Sequence, residues 1–162
     1  MKLNYKIIFH FFGLLLLFNG GFMLLAALLS FFYKDGATLN LFLAGISVLV
    51  FGLISMLCTK NHTKEMNKRE GYLVVAFGWI VMTLSGTLPY LFTGAIPDFT
   101  NAIFETISGY TTTGSTILND IESLPEGVLF WRSLTHWIGG MGIKRYHFQF
   151  RPTRFNSTNV CR

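Results

Sequence analysis

The sequence predicts an all-α integral membrane protein: two leading transmembrane helices, then one helix–pore loop–helix repeat. Three observations carry this. Charged residues make up only 13% of the 162-residue chain, against 51% apolar residues, whereas soluble domains carry ~25% charge. Those charges are clustered, which leaves charge-free apolar runs of membrane-crossing length. Between the third and last runs lies a short amphipathic segment followed by a hydroxyl-rich, glycine-bounded one.

The first run, Ile7 to Phe32, would span roughly 39 Å as a helix at 1.5 Å per residue, enough to cross a ~30 Å core with tilt. It exceeds the ~7–15 residues of a secretory apolar region. Asn19-Gly20-Gly21 interrupts it, and glycines within a membrane let a neighbouring helix approach closely. His10 and Asn19 are expected to be satisfied by interhelical hydrogen bonds. After the turn at Lys34-Asp35-Gly36, Leu39 to Cys58 reads as a second span. The polar stretch from Lys60 to Glu70 follows, then a third run, Tyr72 to Thr93, with Pro89 near its far end, placed to kink or end the helix. The last run, Gly127 to Ile143, is interrupted by Arg132 and His136. Three regions result: 1–70, the leading helices and a loop; 71–143, the repeat; 144–162, a basic polar tail.

The net charge of +5 belongs to that tail. Lys144, Arg145, Arg151, Arg154 and Arg162 stand there without an acid, and the preceding residues are neutral overall. A solvated tail explains this better than a nucleic-acid surface, and no nucleic acid is expected as a partner. Cys58 and Cys161 form neither a metal-ligand spacing nor a disulfide framework. Lys2, Lys6 and the basic loop 60–69 place the N-terminus and that loop in the cytoplasm by the positive-inside tendency. The acidic stretch from Gly94 to Trp131, with Asp98, Glu105, Asp120, Glu122 and Glu126, then lies outside. The sequons at Asn61 and Asn156 fall on the cytoplasmic side and are discounted.

That outer stretch carries the chemistry. Asp98 or Thr100 is a suitable N-cap, and Phe99, Ile103, Phe104 and Ile107 recur at helical spacing. The short helix is expected to stop at Ser108-Gly109. Thr111, Thr112, Thr113 and Gly114 follow as an extended segment. Non-helical backbone at membrane depth is tolerated where it is buried in protein or lines water, and a re-entrant cation filter uses that exception by presenting backbone carbonyls to a dehydrated ion. A short helix would point its partially negative C-terminus at the ion. Gly114 would give the backbone freedom to aim carbonyls, and the acidic stretch would concentrate cations at the mouth. Taken alone, a Thr-rich, Gly-flanked segment is more often an ordinary external loop. Gly109-x-x-x-x-Gly114-Ser115-Thr116 also approaches the phosphate-binding loop, but Ser115 stands where that loop needs Lys. No nucleophile–base pair, metal cluster or paired carboxylates suggest an enzyme.

Phe104 to Thr116, Leu124-Pro125 and Trp131 to Ile143 together resemble the first pore repeat of the Trk/Ktr/HKT superfamily of potassium transporters. The leading helices make the chain most similar to the bacterial TrkH-type subunit. The resemblance implies a multi-pass protein of the bacterial inner membrane that transports potassium by permeation. It puts Thr111, Thr112, Thr113 and Gly114 in the selectivity filter, with potassium held by the backbone carbonyls of Thr112 and Thr113. No resident cofactor is implied. Partners implied are the bilayer and a cytoplasmic nucleotide-binding regulatory subunit.

The family carries four such repeats in one chain, and this sequence holds one. After Ile143, where the family's inner helix stays apolar, a basic tail begins, which reads as aberrant or out-of-frame sequence on a truncated member. A homo-oligomer of four copies is the other route to a full ring, though the leading helices and short inner helix fit it poorly. Arg132 is expected to snorkel or to pair with Glu122 or Glu126, and Gly139, Gly140 and Gly142 to be packing positions. The competing reading is a small multi-helix membrane protein with an assembly role and no pore of its own.

Overall fold

The computed structural model describes residues 5–59, 68–118, 120–121 and 124–149, with backbone alone at 68–69 and 142–149. Five helices run in chain order: α1 Tyr5–Tyr33, α2 Thr38–Cys58, α3 Lys68–Thr93, α4 Phe99–Tyr110 and α5 Glu126–Gln149. No strand occurs among the described residues. α1, α2 and the Glu70–Thr93 part of α3 are long and apolar enough to cross a membrane. α4 has only 12 residues, roughly 18 Å at 1.5 Å per residue.

α1 and α2 form a hairpin packed on glycine. A Cβ on Gly13 would lie 2.9 Å from the Gly52 carbonyl oxygen, and one on Gly52 would lie 3.0 Å from the Leu17 nitrogen. A Cβ on Gly20 would meet the Leu49 side chain at 2.8 Å and one on Gly45 the Leu24 side chain at 2.9 Å, so the helices stay close above that backbone contact. Gly21, by contrast, faces open space. Lipid tails offer no hydrophobic drive between helices, so close van der Waals approach has to supply it.

Asp35 organises the turn between them and ties it to α5. Its carboxylate accepts hydrogen bonds from the Ser30 hydroxyl, from Ala37 N at 3.0 Å and from Gly127 N at 2.8 Å. The last of these is a donor at the first turn of α5, where a negative charge is favoured. Burial alone would push this carboxyl up, but the bonds from Ser30, Gly127 and Ala37 outweigh it and hold it below its usual range. A lowered folded value stabilises the protein above the unfolded pKa, and that contribution fades as pH falls through the folded one. Asp35→Asn is therefore expected to lower the thermal midpoint at pH 7 and to flatten its fall below about pH 4, read by melting in detergent across pH.

α3 runs on through Pro89 and ends at Thr93. The stop is made by Gly94, at φ 70°, with Gly94 N donating to Leu91 O and Ile96 N to Tyr90 O. A glycine in the left-handed region just past a helix is a common terminator. Trp131, fully buried, brings α5 against α3 by donating from Nε1 to the Gly86 carbonyl at 3.1 Å. α5 continues past Ile143 to Gln149, so its helical backbone includes the first residues of the basic stretch. Residues 150–162 and the loop 60–67 lie outside the described residues.

Candidate functional site

α4 begins where its cap residue dictates. Asp98, at φ −80° and ψ 124°, accepts from Asn101 N at 3.0 Å, satisfying one of the free N–H groups of the first turn. The helix then passes through Ser108 and Gly109 to Tyr110. Gly109 does not break it, because it is a contact point: a Cβ there would lie 2.3 Å from Thr135 Oγ1 of α5.

The amphipathic face lies opposite to where a soluble helix would put it. Phe99, Phe104 and Ile107 are exposed, while Ala102, Glu105, Thr106, Ser108, Gly109 and Tyr110 are buried. Small and hydroxyl side chains allow close approach and cross-helix hydrogen bonds inside a membrane bundle. Thr106 makes one such bond, accepting from Thr87 of α3 at 3.2 Å.

At the end of α4 the chain turns over itself. Thr112 N donates to Gly109 O at 2.9 Å and Thr113 N to Ser108 O at 3.0 Å. This is the bond pair of a Schellman terminus, which favours glycine at its left-handed position. Here that position is Thr112, at φ 56°. A β-branched residue in that region is an outlier, and such a conformation, costing roughly 1–3 kcal/mol, persists only when its surroundings over-determine it. Gly114 also has positive φ, 76°, without strain.

The hydroxyls of this segment turn inward on the backbone. Thr111 Oγ1 donates to Ile107 O at 2.7 Å, Thr112 Oγ1 donates to Thr111 O at 2.7 Å, and Thr111 and Thr113 share a bond of 2.8 Å. Ser108 Oγ donates to Ser115 O at 2.5 Å. Among the described residues, none donates to the carbonyls of Thr112, Thr113 or Gly114. Residues 111–115 are exposed on this chain. The segment thus brings Thr111, Thr112, Thr113 and Gly114 together, with three exposed carbonyls that no described residue caps.

Two anchors hold it. Upstream, the Tyr110 carbonyl rests on α5 at Gly139, where a Cβ would fall 2.0 Å from the oxygen. Downstream, buried Glu105 accepts from Thr116 Oγ1 at 3.0 Å and Ile117 N at 3.3 Å with one oxygen, and from Arg132 Nε at 2.6 Å with the other. This corrects two expectations. Arg132 pairs with Glu105 and not with Glu126, while Glu122 lies outside the described residues. Glu105 also adds no free charge to an acidic mouth, because its side chain is 1% exposed and already matched by a cation. Asp98 differs: it is exposed, and its cap bond from Asn101 N brings no cation to it.

The phosphate-loop reading fails on geometry. A phosphate loop is followed by a helix whose N-terminal N–H groups face the anion, whereas residues 111–114 follow the C-terminus of α4. That end carries partial negative charge and leaves carbonyls, which suit a cation.

A half-length helix, a turned-back segment with free carbonyls and a closing helix define a re-entrant pore-loop membrane protein. A family model described as TrkH, cation transport protein, matches residues 37–154. The chain belongs to the TrkH family. It is 36% identical over 143 residues to the Trk system potassium uptake protein TrkH of Salmonella typhimurium, covering 87% of this chain and 29% of that protein. The TrkH protein of Halomonas elongata is 36% identical over 153 residues, covering 93% of this chain and 32% of its own length. The crystal structure of the potassium transporter TrkH from Vibrio parahaemolyticus superposes with a TM-score of 0.80 at 34% identity, over 87% of this chain and 30% of that one. The chain spans about a third of the length of these relatives.

Proposed function

We propose that this chain supplies one wall of a potassium-selective filter, with Thr111, Thr112, Thr113 and Gly114 as the ion-facing segment. The observation that carries the reading is the set of carbonyls at Thr112, Thr113 and Gly114, without donors among the described residues, just beyond the C-terminus of a half-length helix. Carbonyl dipoles in that position replace the hydration shell of a monovalent cation. The potassium named for the TrkH relatives supports the choice of ion. Permeation of this kind involves no covalent catalysis and needs no resident cofactor. Three further walls close the ring, from further repeats or from further copies of the chain. The N-terminus faces the cytoplasm across a bacterial inner membrane, where a nucleotide-binding regulatory subunit would dock.

Potassium-limited growth of an uptake-deficient bacterial host tests this. Expression of the chain is expected to restore growth, and Gly114→Val to abolish it. No atom lies within 4 Å of a Cβ built on Gly114, so the substitution acts through its backbone, at ~1–2 kcal/mol for a side chain in the left-handed region. Rescue that survives Gly114→Val would overturn the reading, and no rescue by the unaltered chain would rule out a ring closed by its own copies.

A further inference from the structure

Tyr110 is the residue from which Thr111 departs, and three helices grip it. On the α3 side, a Cβ on Gly86 would lie 2.8 Å from its hydroxyl oxygen. On the α5 side, its carbonyl sits on Gly139. From α1, Asn19 Oδ1 accepts the Tyr110 hydroxyl at 2.7 Å, while Asn19 Nδ2 donates to Ser85 Oγ at 2.7 Å and Ser85 Oγ donates to Met82 O at 3.1 Å. Asn19 is 0% exposed and Tyr110 1%. Each hydroxyl proton has its acceptor, so the order of donors along the chain is fixed.

Asn19 lies outside the pore repeat. It sits beside Gly20 on the hairpin of α1 and α2, whose helices meet closely at Gly13, Gly20, Gly45 and Gly52. We propose that Asn19 is a positioning residue for the segment 111–114: the leading hairpin, through the Asn19–Tyr110 hydrogen bond, sets the height at which that segment leaves α4. The inference rests on the filter reading for its functional meaning. The strain at Thr112 gives it force, because a left-handed threonine holds only while its neighbours do. Carbonyl ligation also demands placement to within about 0.5 Å.

The test uses the full chain in membranes, with Cys58→Ser and Cys161→Ser so that Thr113→Cys is the only thiol. Its rate of modification by a membrane-impermeant methanethiosulfonate is measured, with the melting midpoint of each variant alongside. Tyr110→Phe removes the hook with little change of shape. Asn19→Leu combined with Tyr110→Phe removes both partners and leaves no orphaned hydroxyl, so stability is expected to stay near that of the unaltered chain. The labelling rate is expected to change by about fivefold or more in both, the ratio that one net hydrogen bond sets.

Labelling at the unaltered rate in Tyr110→Phe and in the double variant would overturn the proposal. Uptake of potassium against rubidium, measured without the reporter thiol, is expected to lose discrimination in the same variants. Labelling needs no transport, so the thiol rate decides whether the hairpin sets the segment even where the unaltered chain takes up no potassium, an outcome that bears on the filter reading alone.

Discussion

Gly139→Ala is expected to stop the chain from accumulating in folded form. The added methyl would sit 2.0 Å from the Tyr110 carbonyl oxygen, 2.7 Å from its carbon and 3.0 Å from its Cα. Carbon and oxygen atoms approach to ~3.3 Å at closest in favourable contacts, so α4 and α5 would have to part by more than an ångström. All three obstacles are Tyr110 backbone atoms, so no rotamer change relieves the clash. Tyr110 cannot retreat either, because its hydroxyl is held at Asn19 and its ring side is closed by Gly86. Overpacking commonly costs about 1–3 kcal/mol, and this case is expected at or above the top of that range. Gly140→Ala is the control. The nearest atom to its Cβ is Thr112 Cγ2 at 3.9 Å, an ordinary contact, and alanine gains up to about 1 kcal/mol of helix propensity over glycine. Melting in detergent, followed by size-exclusion fluorescence, separates the two. Equal midpoints for Gly139→Ala and the unaltered chain would show that α4 is not seated on α5 in this way.

The spans were legible because little competes with a charge-free run of membrane length. Ile7–Phe32, Leu39–Cys58 and Tyr72–Thr93 were expected, and α1, α2 and α3 contain them with a few residues more at the ends. Asp98 announced α4 for a similarly local reason: a cap acts within one turn. Legibility stopped where the cause was tertiary. Periodicity marks Phe99, Ile103, Phe104 and Ile107 as one face but does not say what that face meets, and in a bundle without water the buried side is the small and polar one. Gly109 looked like a helix stop and is a packing site, because Thr135 stands against it. Thr112 was read as part of an extended segment, but the closing bonds of Thr112 and Thr113 turn it into the left-handed region. Lys144 and Arg145 marked a change of composition, yet both are good helix formers, and the backbone of α5 continues through them.

The pairing of Glu105 with Arg132 spans 27 positions and was the largest feature that sequence proximity misassigned. It also predicts the second large effect. In Glu105→Ala, the Arg132 side chain, 19% exposed, loses its counter-charge, and Thr116 Oγ1 and Ile117 N lose their acceptor. Removing one member of a buried ion pair costs about 3–5 kcal/mol, because the other charge stays desolvated. Glu105→Leu with Arg132→Met removes both charges, and replacing a buried pair by apolar groups of similar volume is often neutral or better. That double variant is therefore expected to melt close to the unaltered chain. Potassium-limited growth is expected to separate from stability at this point. The double variant still lacks the carboxylate that holds Thr116 and Ile117, so the downstream end of residues 111–114 is released in a well-folded protein, and rescue should fail. Recovery of both stability and growth would mean that the ion pair serves packing alone and that the segment needs no downstream anchor. A Glu105→Ala stability within about 0.5 kcal/mol of the unaltered chain, the range of ordinary surface substitutions, would mean that the carboxylate is not buried against Arg132 at all.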